Sequence, residues 1–292
     1  MDKMKRNSLR ANGLLMLAAL IWGTAFVAQS VGMDYVGPFT FNAARFLIGG
    51  AVLIPVLLGR AGALENRRAG IFGGICCGAA LFAGSSLQQI GIAQTTVGKA
   101  GFITALYMVL VPLLEMLFGK KPGRVVWISV AAATLGMYLL CVTEGFSIGT
   151  GDLYVLGCAV CFAVHILVID HFSPKADGVF LSCVQFFTAG VLASACALAL
   201  ETPRLSQLTA AWAPVLYAGV LSCGVAYTLQ VVAQRHTDPV LASMVLSLES
   251  VFSVLAGWAL LGEVLSAREL AGCLLVFAAI VLVQLPMPEK QG

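Results

Sequence analysis

The chain has 292 residues, of which 60% are hydrophobic and 11% charged, and its net charge is +3. A soluble globular domain carries about 25% charged residues, and a mean hydropathy of +0.95 leaves too little polar surface to clothe a water-soluble fold. These figures exclude a nucleic-acid binder, a cytosolic enzyme and a disordered chain. They predict an integral membrane protein.

A helix needs about 20 apolar residues to cross the hydrocarbon core of a bilayer. Ten stretches qualify: 12–30, 38–58, 69–92, 97–118, 124–142, 152–170, 178–200, 211–233, 239–261 and 267–285. Pro38, Pro214 and Pro239 fall in or beside first turns, where a missing N–H costs nothing. Continuous apolar runs of this length do not fit the short alternating strands of a membrane barrel. The predicted fold is therefore an all-α membrane bundle.

Basic residues set the expected orientation. With a cytoplasmic N-terminus, thirteen of the seventeen Lys and Arg fall in inner segments, and only Arg204 and Arg268 in outer loops. Arg45 and Lys99 lie within or at the edge of spans. This positive-inside bias predicts cytoplasmic N- and C-termini in a bacterial inner or plasma membrane. The first span follows basic residues and resembles a signal peptide, but it has a partner in the repeat described next and is expected to be retained. All nine cysteines lie in apolar spans, and Cys158-x-x-Cys161 reads as two buried small side chains. The chain has no Walker loop, dinucleotide fingerprint or His-Glu-x-x-His, so neither cofactor nor metal is expected.

The sequence repeats itself. At an offset of 142, Leu87-Gln88 pairs with Leu229-Gln230, Thr95 with Thr237, Leu106 with Leu248 and Tyr107 with Glu249. At 140, Trp22 pairs with Phe162, Arg45 with Gln185, Phe46 with Phe186 and Gly50 with Gly190. Two halves, 1–145 and 146–292, thus hold five spans each. An odd number of crossings turns a direct sequence repeat into an inverted structural one, the architecture of many secondary transporters.

Several segments carry a family resemblance: Leu20-Ile21-Trp22-Gly23-Thr24-Ala25-Phe26, Ala44-Arg45-Phe46, Gly98-Lys99-Ala100-Gly101-Phe102 through Tyr107 to Val111-Pro112, and Leu248-Glu249-Ser250-Val251-Phe252 with Leu261-Gly262-Glu263. In this order the chain resembles the EamA-type branch of the drug/metabolite transporter superfamily over nearly its whole length. The resemblance implies ten helices in two five-helix repeats and the movement of small metabolites, such as amino acids or related amphipathic compounds. Ser250 stands where the family pattern often has proline, and Lys120 stands opposite Glu263 of the second copy. Other functions compatible with the residues are an intramembrane enzyme acting on lipid and a membrane scaffold without transport. The expected partners are a small solute and the bilayer, with no nucleic acid, as a monomer or a homodimer.

An ionisable side chain at the bilayer centre costs about 2.5–3.5 kcal/mol and needs a partner or a wet cavity. Glu249 and Tyr107 each lie ten residues into their spans, about 15 Å deep. They line a cavity or bond neighbouring helices. His165, Gln88, Tyr227 and Gln230 offer hydrogen bonds to a solute, Trp22 and Thr24 an aromatic-polar wall, and Lys99 a cation at the outer mouth. Arg45 reads as an anchor or a charge-recognition group, and Glu115 as part of an ion cluster with Lys120 and Lys121. Pro112 frees the Met108 carbonyl and predicts a kink there. Gly70, Gly74 and Gly78 have the spacing that lets helices approach closely.

Overall fold

The computed structural model describes residues 2–59, 66–95, 97–141, 148–261 and 266–284, and among these it is helical without a strand. The helices are α1 (Asp2–Gly32), α2 (Pro38–Leu58), α3 (Arg67–Ile92), α4 (Val97–Ala105), α5 (Tyr107–Leu117), α6 (Arg124–Cys141), α7 (Thr150–Phe172) and α8 (Gly178–Leu200). They continue with α9 (Leu205–Ala210), α10 (Trp212–Leu216), a π-helical segment (Tyr217–Tyr227), α11 (Thr228–Gln234), α12 (Pro239–Leu246), α13 (Leu248–Leu261) and α14 (Ala267–Gln284). In an apolar medium a helix is the one open segment that satisfies its own backbone, so long apolar runs emerge as helices.

Nine candidate spans are long and apolar enough to cross a membrane, among the described residues. Four of the ten expected stretches depart from a plain, full-length α-helix. The fifth is shorter than the rest, Arg124–Leu139, and it meets the undescribed residues 142–147. The fourth and ninth are each broken into two helices, and the eighth is part π-helix.

Several helices present apolar stripes outward. On α14, Leu270, Leu274, Phe277 and Val281 are exposed at intervals of four, three and four residues, and on α7 Leu153, Leu156, Val160 and Val164 form a similar stripe. Such stripes would drive a soluble monomer to aggregate; here they suit contact with lipid.

Carboxylates cap several helix starts. Asp177 accepts from the N–H groups of Val179 and Phe180 at 3.0 and 2.9 Å, and Asp238 from Val240 at 2.9 Å. For α2 the cap comes from across the bundle. Glu201, just past α8, accepts from the backbone N–H of Phe39 (2.9 Å), the N–H of Thr40 (2.8 Å) and the Thr40 hydroxyl (2.5 Å). Glu201→Ala should destabilise the protein by about 1–2 kcal/mol through loss of this cap and its favourable place at a helix N-terminus. A lower midpoint of thermal unfolding in detergent would show it.

Packing pairs the halves. The helices α2 and α8 lie against each other, as do α6 and α14. α3 packs on α7 and α8 much as the span Trp212–Gln234 packs on α1 and α2, and α12–α13 lean on α1 as α4–α5 lean on α7. Exchanging the two halves leaves this pattern unchanged, as a two-fold relation requires. Small residues permit the approach. A Cβ on Gly70, Gly74 or Gly78 would lie 2.5–2.6 Å from Phe180, Val184 or Thr188, which recur every fourth residue along α8. On the other side of α3, Gly73, Gly84 and Gly91 admit Phe172, Phe162 and Val155 of α7.

The break in the fourth span does not fall where proline chemistry placed it. Pro112 sits inside α5, which continues through it, whereas the interruption is Leu106. There Leu106 N–H bonds Ile103 O at 3.2 Å and Val109 N–H bonds Leu106 O at 2.9 Å, a tightened turn. The ninth span breaks at Ser247, one residue from the position equivalent to Leu106, with no proline downstream in α13. Hydroxyls of Ser243 and Ser247 there return to the carbonyls of Val240 and Met244, each at 2.7 Å, which bends a helix by competing with its backbone bonds.

Candidate functional site

Both breaks adjoin the residues singled out at the midplane. Tyr107 opens α5, Glu249 is the second residue of α13, and the Tyr107 hydroxyl donates to Glu249 Oε1 at 3.0 Å. Two residues equivalent under a two-fold relation can touch only at its axis. The pair therefore marks the centre of the bundle.

A cavity of about 30 Å³ surrounds them. α1 supplies Trp22, Phe26 and Gln29, α2 Arg45, α3 Gln88, α4 Thr104 and α5 Tyr107. The second half supplies Phe162, His165 and Ile166 from α7, Ser222 and Tyr227 from the π-helical segment, Gln230 from α11, Leu246 from α12 and Glu249 from α13. Both halves contribute aromatic wall and polar groups. The volume holds about two waters, so a larger solute requires the helices to part.

Tyr227 is the aromatic hub. Its ring centroid lies 4.4 Å from Trp22, 5.9 Å from His165 and 6.3 Å from Phe186. Trp22 Nε1 donates to the Ser222 carbonyl at 3.3 Å, which ties α1 to the π-helical segment. That segment spans eleven residues and packs closely on α2, where a Cβ on Gly219 would lie 2.7 Å from Ile48. π-Helical turns are rare and concentrate at functional sites.

The polar groups are linked in short chains. Gln88 Nε2 donates to Thr104 Oγ1 at 3.3 Å, Gln230 Nε2 to Gln234 Oε1 at 2.9 Å, and Gln234 Nε2 to the Ile166 carbonyl at 3.1 Å. His165 Nε2 and Gln185 Oε1 are 3.1 Å apart. Arg45 Nη1 donates to Gln29 Oε1 at 2.8 Å, and Gln89 Nε2 to the Gln29 carbonyl at 3.0 Å. Arg45 and Gln185, paired at the 140 offset, thus each bond a side chain of the preceding span.

Seven of the nine expected lining residues are brought together: Trp22, Gln88, Tyr107, His165, Tyr227, Gln230 and Glu249. Thr24 and Lys99 are not. Thr24 lies two residues, about 200°, around α1 from Trp22. Its hydroxyl donates to the Ile21 carbonyl at 2.9 Å and meets the Tyr217 hydroxyl. Lys99 lies in the first turn of α4, about 12 Å along the span from Tyr107, and pairs with Asp152 at 3.6 Å. Asp152 also accepts from Thr95 Oγ1 at 2.5 Å and from Gly149 N–H at 2.9 Å, so this cluster ties the start of α7 to the α3–α4 turn.

Arg45, expected foremost as an anchor, borders the cavity as well. Glu115 lies apart and accepts from Lys120, whose ammonium is held above its ordinary pKa by that hydrogen bond. Phe26, Gln29, Thr104, Phe162, Ile166, Ser222 and Leu246 were not anticipated. Most were within reach of helical periodicity: Gln29 is seven residues after Trp22, Thr104 three before Tyr107, and Leu246 three before Glu249. Among the described residues no group of three or more His, Cys, Asp or Glu could hold a metal ion.

The chain matches the model of the EamA-like transporter family twice, over residues 9–142 and 149–285. The chain belongs to the EamA-like transporter family. A relative from Archaeoglobus fulgidus, described as an uncharacterized transporter, is 33% identical over 272 residues, covering 93% of this chain and 84% of its own. YwfM of Bacillus subtilis, also described as an uncharacterized transporter, is 28% identical and covers 95% and 94% of the two chains. YedA of Escherichia coli, described as an uncharacterized inner membrane transporter, is 26% identical and covers 96% and 92%. One crystal structure aligns with a TM-score of 0.77 at 20% identity, over 94% of this chain and 96% of that one, which shows a shared fold. Membership of this EamA-like family makes the chain an integral membrane protein of a transporter class.

Proposed function

We propose that the protein is a secondary transporter, and specifically an exporter, of small metabolites such as amino acids or related amphipathic compounds, working by alternating access. The observation that carries this is the central cavity, walled by both halves, with Tyr107 and Glu249 in contact where the halves meet. A site on a two-fold axis can face either side of the membrane when one half rocks against the other, and broken helices at such sites are a recurring device of carriers. The 30 Å³ volume fits a contracted state between the two openings. At one end of the fourth span stands the Lys99–Asp152 cluster, and at the other the Glu115–Lys120 pair. Both sit where a gate has to open.

The driving force in this account is a solute or ion gradient. Proteoliposomes free of ATP should take up labelled amino acids when the protein is present, and retain that uptake with no nucleotide on either side. Uptake that demands internal ATP after gradients are collapsed would contradict the proposal.

The proposed orientation places both termini on the cytoplasmic side of a bacterial inner membrane, as the thirteen-to-two distribution of basic residues in the loops and at the span ends favours. A reporter active only in the cytoplasm should work when fused after Gly292. An external C-terminus would remove the alternation of spans on which the inverted relation depends.

A further inference from the structure

The buried guanidinium of Arg45 has more donors than partners. The side chain is 1% exposed and borders the central cavity. Nη1 is taken by Gln29, but Nε and Nη2 are buried with no hydrogen-bond partner. Neither of the ion pairs found among the described residues, Lys99–Asp152 and Lys120–Glu115, includes Arg45. The carboxyl group of the cavity, Glu249, is engaged by Tyr107. Leaving a buried charge with unmade bonds is expensive, and an internal anchor would have been satisfied from within.

The pattern of free atoms is informative. In a guanidinium the Nε–H and one Nη2–H run parallel along one edge, and that edge matches the two oxygens of a carboxylate. These are the two unpaired nitrogens here. The Phe41 and Phe46 rings lie 5.8 and 4.9 Å from Cζ, holding the charge by cation–π contact. The position also breaks the symmetry of the halves, because Gln185, which is neutral, occupies the equivalent place beside His165.

We propose that Arg45 is the carboxylate-binding group of the cavity, so that the transported solute carries a carboxylate and docks it on the Nε–Nη2 edge. A phosphate monoester carries close to two negative charges and would meet this single cation with the Glu249 carboxyl in the same cavity, which disfavours it. The same cavity lining also offers acceptors, Glu249 and the unbonded Oε1 of Gln230. These suit a donor group elsewhere on the same solute.

The inference deepens the transport reading, and its test does not depend on flux. Thermal unfolding of the purified wild-type protein in nanodiscs would be followed at constant ionic strength with sodium propionate, propionamide or inorganic phosphate. Propionate should raise the midpoint in a saturable way, and propionamide and phosphate should not. Arg45→Lys keeps a charge without the fork and should weaken the apparent propionate affinity about tenfold or more, a loss of about 1.4 kcal/mol; Arg45→Gln should abolish the shift. Equal effects of propionate and propionamide, an equal effect of phosphate, or a propionate shift that survives in Arg45→Gln would each overturn the assignment. The wild-type comparison stands even if a variant fails to fold. Carboxylate-specific stabilisation without flux of any solute would sink transport alone, whereas flux that ignores replacement of carboxylate by carboxamide would sink the Arg45 assignment alone.

Discussion

Glu249→Gln is expected to cut solute flux by about ten- to hundredfold while the protein stays folded and monodisperse in detergent. The substitution keeps the shape and leaves Oε1 in place to accept from Tyr107, whose bond is 3.0 Å long. What disappears is the charge and the exchangeable proton at the point where the halves meet. A hydrogen bond to a charged group contributes about 1.5–3 kcal/mol, and each 1.36 kcal/mol in a barrier is tenfold in rate. The pH dependence of flux should flatten in the same variant. Tyr107→Phe should be milder, because it deletes one hydroxyl and leaves the ring against its neighbours. Flux at the wild-type rate in Glu249→Gln would make the carboxyl structural. Loss of the protein from the membrane would make it a packing group, and the cavity assignment would fail at that residue.

Gly78→Val should be the most damaging of the packing substitutions. A Cβ there would lie 2.6 Å from the Gln185 carbonyl oxygen and 2.6 Å from Thr188 Cβ. Neither obstacle is the free end of a flexible side chain, so α3 and α8 have to separate. Overpacking of this kind costs about 1–3 kcal/mol or more, enough to lower the amount of folded protein several-fold. The same shift would move Gln185 away from His165, now 3.1 Å distant. Gly13→Ala is the control, since nothing lies within 4 Å of its Cβ and its yield should be unchanged. Yield and thermal midpoint in detergent measure both variants. A Gly78→Val protein as stable as Gly13→Ala would mean that the α3–α8 approach is looser than the geometry requires.

Apolar run length was sufficient to place nine candidate spans among the described residues, because the bilayer imposes one dimension on every crossing helix. The 142 offset went further: it named Tyr107 and Glu249 as equivalents, and the two prove to be in contact. Depth alone could not sort the other polar residues, since depth is only one of two coordinates on a helix. Thr24 shares the depth of Trp22 but faces Tyr217, whereas Gln29, seven residues after Trp22, shares its face and lines the cavity. The break at Leu106 was missed for a related reason. Proline marks a lost donor, whereas the second half breaks at Ser247 without one, beside serine hydroxyls that return to backbone carbonyls, so proline is the wrong marker for this turn. The unpaired nitrogens of Arg45 depend on which neighbours fold around it, and no local pattern encodes that.

Counterflow tests the central claim most directly. Proteoliposomes preloaded with a high concentration of an unlabelled α-amino acid would be diluted into a trace of the labelled form, without ATP and with ion gradients collapsed. A carrier whose single cavity faces the two sides in turn must transiently accumulate label above its outside concentration, and Glu249→Gln vesicles should show almost none. Label that merely equilibrates, or that fails to enter for each α-amino acid tried in this way, would contradict the account.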